Sequence, residues 1–158
     1  MIEQREIKIN QNHLYLACSS GNINLVKYLI NDQRLEPDKN VLQHVCYSGN
    51  IELLDYILDY SKISINFKNE ESLPIFKYAC YSKNLKFFKY LYEMKDTDKN
   101  NIITGEETIL HTACSAGNLE YVKYLIEDRK MDPKIKNDKG MNILHCACSS
   151  KNLDLVKY

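Results

Sequence analysis

The 158 residues suffice for one domain, and 21 basic against 21 acidic side chains leave no net charge, hence no electrostatic ground for binding nucleic acid or an anionic membrane. No apolar run reaches the roughly 18 to 20 residues that span a bilayer, and Met1 to Glu6 is too charged to open a signal peptide. The expectation is a soluble, intracellular, cytoplasmic protein with no membrane insertion and no nucleic-acid partner.

Along the chain a small residue followed by cysteine recurs at Ala17-Cys18, Val45-Cys46, Ala79-Cys80, Ala113-Cys114 and Ala147-Cys148, in steps of 28, 34, 34 and 34 residues. Periods in this range mark a stacked solenoid. Each copy repeats an asparagine after the helix break (Asn22, Asn50, Asn84, Asn118, Asn152) and a tyrosine six residues later (Tyr28, Tyr56, Tyr90, Tyr124, Tyr158). The pattern predicts one all-α repeat domain over residues 1–158, with helix pairs at 12–30, 40–58, 74–92, 108–126 and 142–158.

The first copy opens loosely with Asn12-His13-Leu14-Tyr15. Its exit, Leu35-Glu36-Pro37-Asp38, parallels Met131-Asp132-Pro133-Lys134, but the next six residues are missing. The connection between copies one and two is therefore expected to be a short turn, with no hairpin in residues 33–41. Copy two carries Glu52 and Asp55 on its second helix where copy three carries Lys86 and Lys89; facing each other across the joint, such exposed pairs would attract by about 0 to 1 kcal/mol each. In copies three and five Lys83 and Lys151 replace the helix-breaking glycine. A left-handed backbone there would cost about 1 kcal/mol each, so these two copies are expected to be the less stable.

Residues 96–107 hold a competing signal, since they resemble an EF-hand calcium loop. Its oxygen ligands would be Asp96, Asp98, Asn100, the Ile102 carbonyl, Thr104 and Glu107. Asn101 stands where the sharp turn needs glycine, there is no partner EF-hand, and the repeat period assigns the segment to a connecting finger. A calcium-binding module is the alternative that this segment raises.

The fourth copy displays the unit most fully. Thr108 is the N-cap candidate of a short helix whose Leu110, Ala113 and Cys114 fall at i, i+3, i+4 and form a narrow stripe that lets neighbouring backbones approach. Gly117 can adopt the left-handed conformation that ends the helix, and Asn118 can cap a second one. That second helix sends Leu119, Val122, Leu125 and Ile126 inward and leaves Glu120 and Lys123 to solvent. A polar connection with Pro133 and Gly140 then makes a hairpin-like finger before Asn142.

These residues resemble the ankyrin repeat, whose pattern opens Thr-Pro-Leu-His-x-Ala and runs through Gly-His into a Val-Val-Lys-Leu-Leu helix. Thr108-Ile109-Leu110-His111 and Asn142-Ile143-Leu144-His145 match that opening best, and the resemblance covers residues 12–158. It implies an ankyrin-type stack of helix-turn-helix units with finger loops. It also implies that His111 and His145 are structural braces bonding the backbone of a neighbouring finger. Tyr158 stops the fifth copy partway along its second helix, so the native polypeptide is expected to continue beyond it.

The cysteines are expected to be reduced, buried packing residues, because facing helices lie roughly 8 to 10 Å apart and a disulfide needs Cα atoms within about 7 Å. Cys146, two residues before Cys148, points to another side of its helix. No zinc spacing, phosphate-binding loop, nucleophile elbow or zincin motif occurs. The chain is therefore not expected to be an enzyme, and no catalytic residue, metal site or cofactor is assigned.

The resemblance places function on the concave face, where the residues after each small-plus-cysteine pair vary while the framework does not. The candidate partner-binding residues are Ser19, Ser20, Tyr47, Ser48, Tyr81, Ser82, Ser115 and Ala116, with Glu70, Glu71, Glu106, Glu107, Asp138 and Lys139 on the fingers. Tyr47 and Tyr81 would form an aromatic, hydrogen-bonding ridge, and the acidic finger edge suits a basic peptide. The expected function is a protein-interaction module or scaffold binding a protein or peptide. The alternative is a regulatory segment of a larger enzyme or channel polypeptide.

Overall fold

The computed structural model describes residues 8–66, 75–95, 103–104 and 107–158. Five helix pairs follow one another: α1 (Gln11–Ser19) with α2 (Ile23–Asn31), α3 (Val41–Ser48) with α4 (Ile51–Ser61), α5 (Ile75–Tyr81) with α6 (Leu85–Glu93), α7 (Ile109–Ser115) with α8 (Leu119–Lys123), and α9 (Ile143–Ser149) with α10 (Leu153–Lys157). α8 runs on as a π-helical turn over Tyr124–Asp128, which ends as the Arg129 amide donates to the Tyr124 carbonyl at 3.1 Å. The odd-numbered helices stack into an inner row, each against the next.

Local chemistry sets the turn inside each pair. Residues 21, 49, 83, 117 and 151 all have φ between 54° and 70°, so Lys83 and Lys151 occupy the left-handed conformation that glycine takes in the other copies. The next residue is always asparagine. Asn22, Asn50, Asn84 and Asn152 cap the following helix through Oδ1, each accepting from the backbone amide three residues on. The Nδ2 groups of Asn50, Asn84 and Asn152 donate backward, to the carbonyls of Gly21, Gly49 and Gly117 at 2.8–2.9 Å. One side chain thus starts a helix and fastens it to the preceding copy.

The core runs along the solenoid as a single layer. Inner helices contribute Leu14, Ala17 and Cys18, then Leu42, Val45 and Cys46, then Phe76, Ala79 and Cys80, then Leu110, Ala113 and Cys114, all buried. Outer helices meet them with Val26 and Leu29, Leu54 and Ile57, Phe88 and Leu91, Val122 and Leu125. Stacking copies is what buries these stripes, because no single pair is thick enough to enclose its own.

The connections differ as the spacing predicts. Residues 32–40 form no strand, and the Asp38 carboxylate accepts from the amides of Asn40 and Val41 to start α3 directly. Before copy four, β1 (Ile103–Thr104) and β2 (Glu107–Thr108) pair antiparallel as a minimal hairpin. Before copy five, Lys136 bridges Asn142 around a tight turn in which Gly140 has φ 73°.

Two expectations are corrected. Lys89 does not pair backward with the acidic face of copy two; it reaches forward to Asp128 at 3.7 Å, while Asp55 accepts a 2.7 Å bond from the Tyr90 hydroxyl. Side chains at this phase lean toward the tyrosine of the following copy. In copy five Cys146 is buried as expected, but Cys148, expected to be buried too, is exposed, because no helix of the described residues covers the far side of α9.

Candidate partner-binding face

The C-terminal ends of the inner helices carry the variable pairs. At the second position, the hydroxyls of Ser20, Ser48, Ser82 and Ser150 donate to the carbonyl three residues back at 2.7–2.8 Å and accept from the capping asparagine's amide at 3.2–3.4 Å. These serines close the turn. Ala116 makes no such bond. At the first position, Tyr47 and Tyr81 are 53% and 43% exposed on adjacent helices, and Ser115 is half-buried.

Ser19 behaves differently, its hydroxyl lying 2.9 Å from His44 Nδ1. The His44 ring stacks on Tyr15 with centroids 4.8 Å apart, and the Tyr15 hydroxyl donates to Asp38. Burial holds the His44 pKa below its ordinary value, opposed by the charge of Asp38. Sequence reasoning did not assemble this cluster. Its signal was the shortened connection, which brings Asp38 against the inner row, and Tyr15, which stands in the phase of the brace histidine.

His111 fills the brace role. Its Nε2 lies 3.0 Å from the Met141 carbonyl in the next finger, so that nitrogen carries the proton and Nδ1 accepts from the Thr108 hydroxyl at 2.9 Å. His145 instead closes a capping box with Asn142 and remains exposed. Tyr15 bonding Asp38 is the counterpart of the brace where no finger exists.

Among the finger candidates, Asp138 and Lys139 are exposed beside the Gly140 turn. Glu70, Glu71 and Glu106 lie outside the described residues, as do Asp96, Asp98, Asn100 and Ile102 of the calcium-like segment. At the end of that segment Thr104 and Glu107 are partners in the β1–β2 ladder. Among the described residues no three His, Cys, Asp or Glu side chains converge as a metal site, and no helix is long and apolar enough to cross a membrane.

Stacked helix pairs with an invariant framework and a variable inner row define a helical repeat solenoid. The family model for ankyrin repeats (three copies) matches residues 14–103 and again 76–158, and the chain belongs to the ankyrin-repeat family. Ankyrin repeats are generally protein–protein interaction modules. No curated protein matches the sequence.

Proposed function

We propose that this chain is a non-enzymatic module that binds a protein or peptide partner through its concave face, with Tyr47 and Tyr81 as anchors. The observation that carries the reading is the exposure of these two rings on α3 and α5, at a phase where copies one, four and five have serine. Tyrosine offers a rigid apolar surface with a hydrogen-bonding tip, the combination enriched at interface hot spots. The finger edge offers Asp138 and Lys139, and the repeat period assigns Glu70, Glu71, Glu106 and Glu107 to fingers as well, an acidic balance that favours a basic segment in the partner. Ser19, Ser20, Ser48, Ser82, Ser115 and Ala116 complete the face as its floor.

The test is affinity capture with the intact chain and with Tyr47→Ala/Tyr81→Ala as baits, alongside thermal unfolding of both. Partners retained by the first bait and lost by the second, at nearly equal melting temperatures, support the reading. Recovery of the same proteins by both baits overturns it.

A further inference from the structure

The joint between copies three and four differs from the others, beginning with Lys83. At Gly49 an added Cβ would lie 3.0 Å from the Cβ atoms of Ser82 and Asn84; at Gly117 the nearest atom is Ser150 Cβ at 3.4 Å, and at Gly21 it is Ser48 Cβ at 3.5 Å. At Gly49 a side chain would crowd the next copy, whereas at Gly117 and Gly21 an added Cβ would make ordinary van der Waals contact with it. Lys83 occupies this position in copy three, with φ 54° and a Cβ that the fourth copy must accommodate.

The same edge lacks contacts that the other joints have. Asn118, alone among the asparagines that face a preceding copy, neither caps its helix nor bonds the carbonyl behind it. Ala116 lacks the hydroxyl with which Ser48, Ser82 and Ser150 close their turns. A cleft of about 320 Å³ remains, lined by Lys83, Leu85, Asn118, Glu120 and Tyr121. Tyr121, where other copies have Leu25, Leu53, Phe87 and Leu155, spans the gap, its hydroxyl 3.1 Å from Ser82 Oγ and its ring 4.6 Å from that of Phe88.

The outer side of the same joint is held firmly. Arg129 pairs with Glu93 and sits over the rings of Tyr92 and Tyr124 at 4.8 and 4.9 Å, while Lys89 pairs with Asp128. An edge without its clamp beside an outer edge with a latch is the geometry of a hinge. In a solenoid each copy touches only its neighbours, so one weak joint divides the chain into separately opening blocks. We propose that the third-to-fourth joint is a built-in hinge, at which copies four and five open as a unit from copies one to three by pivoting about the Arg129 latch. The motion changes the separation of Tyr81 and Ser115 across the inner row.

Native-state hydrogen exchange of the full chain in low urea tests this. Amides of residues 109–123 and 143–157 are expected to share a sub-global opening that leaves residues 14–61 protected. Lys83→Gly/Ala116→Ser, which removes the Cβ and restores the turn hydroxyl, is expected to abolish that step and raise protection of residues 109–123 by about tenfold, the equivalent of one or two recovered hydrogen bonds. Lys151→Gly relieves the same backbone strain away from that joint, so it should protect copy five and leave the step in place. A single opening shared by all copies of the parent chain, a step that persists in the double variant, or its loss in Lys151→Gly would each overturn the hinge.

Discussion

The Lys89 ammonium lies 4.6 Å from the centroid of the Tyr124 ring, one copy further on, and the same forward step places Lys27 over Tyr56 at 5.3 Å and Lys123 over Tyr158 at 5.8 Å. At the second-to-third joint the residue in the lysine phase is Asp55, which takes the Tyr90 hydroxyl bond instead. The invariant tyrosine is thus a rung between copies, read by a cation over its face or by a carboxylate at its tip. Tyr90→Phe should cost about 1 kcal/mol, because it leaves Asp55 without its donor. Tyr28→Phe, which loses only an exposed bond from Gln33, should shift the urea midpoint much less. Equal midpoints for the two variants would refute the rung.

Arg129 joins both kinds of contact, donating through Nε to the Tyr124 hydroxyl at 2.6 Å and stacking over two rings, while Glu93 is largely exposed. The ion pair should therefore contribute less than the rings. Glu93→Gln is expected to cost under about 0.5 kcal/mol, as exposed pairs do. Arg129→Ala should cost more than about 1 kcal/mol through two cation–π contacts and a hydrogen bond. Arg129→Lys should recover little of that loss, since an ammonium has no planar face to lay on the rings. Chemical denaturation of the three variants ranks them, and a Glu93 effect as large as that of Arg129 contradicts the ordering.

The framework could be read from sequence because its determinants are local and repeat in register: asparagine caps, small-plus-cysteine stripes, and the left-handed turn that made Lys83 and Lys151 conspicuous. The His111 brace followed from its motif. Contacts that join different copies were less accessible. The Ser19–His44–Tyr15–Asp38 cluster forms because a six-residue deletion brings Asp38 against the inner row, and the forward lean of Lys89 depends on the stacking rotation between copies. Neither quantity is written in one repeat.

A second series of left-handed residues also escaped notice. Arg34, Lys62 and Lys130 have φ of 57–58° at one phase of the repeat, just beyond the outer helices, without any glycine to mark them. Lys62 is the clearest, its amide donating to the Leu58 carbonyl at 3.0 Å as the helix ends. Lys62→Gly should raise stability by about 1 kcal/mol and Lys62→Asn by less, whereas Lys62→Val should lower it because a β-branched side chain resists this conformation. Urea titrations that place the valine variant at or above the glycine variant would argue against strain at this position.

Thiol chemistry should separate Cys148 from the rest. It is exposed and the other five cysteines are buried, so an aromatic disulfide reagent should titrate one thiol rapidly in the native chain and all six after unfolding. Burial pushes the Cys18 and Cys114 thiols up to about 12 and raises Cys46 and Cys80 by the same cause. A folded pKa above the unfolded value of about 9 means stability that is intact below pH 9 and lost as pH climbs toward 12. Cys46→Ala, despite its cavity, should flatten this alkaline slope. An unchanged slope would assign the alkaline loss to other groups.

His44 sets the behaviour on the acid side. Burial lowers its folded pKa, so the unfolded chain binds the proton more readily in the window below the ordinary value of 6.5. The stability it contributes is present above that window and lost as pH falls through the lowered folded value. Desolvation of the ring is the cost of protonation, and the charge of Asp38 opposes it. Melting temperature should therefore drop between about pH 7.5 and about pH 5, and His44→Gln, which keeps a polar group beside Ser19 but cannot titrate, should reduce that drop. Exchange protection of α1 and α3 should follow the same pH course, because the cluster joins these two helices. A His44→Gln chain that loses as much stability over this range as the parent would place the acid sensitivity elsewhere.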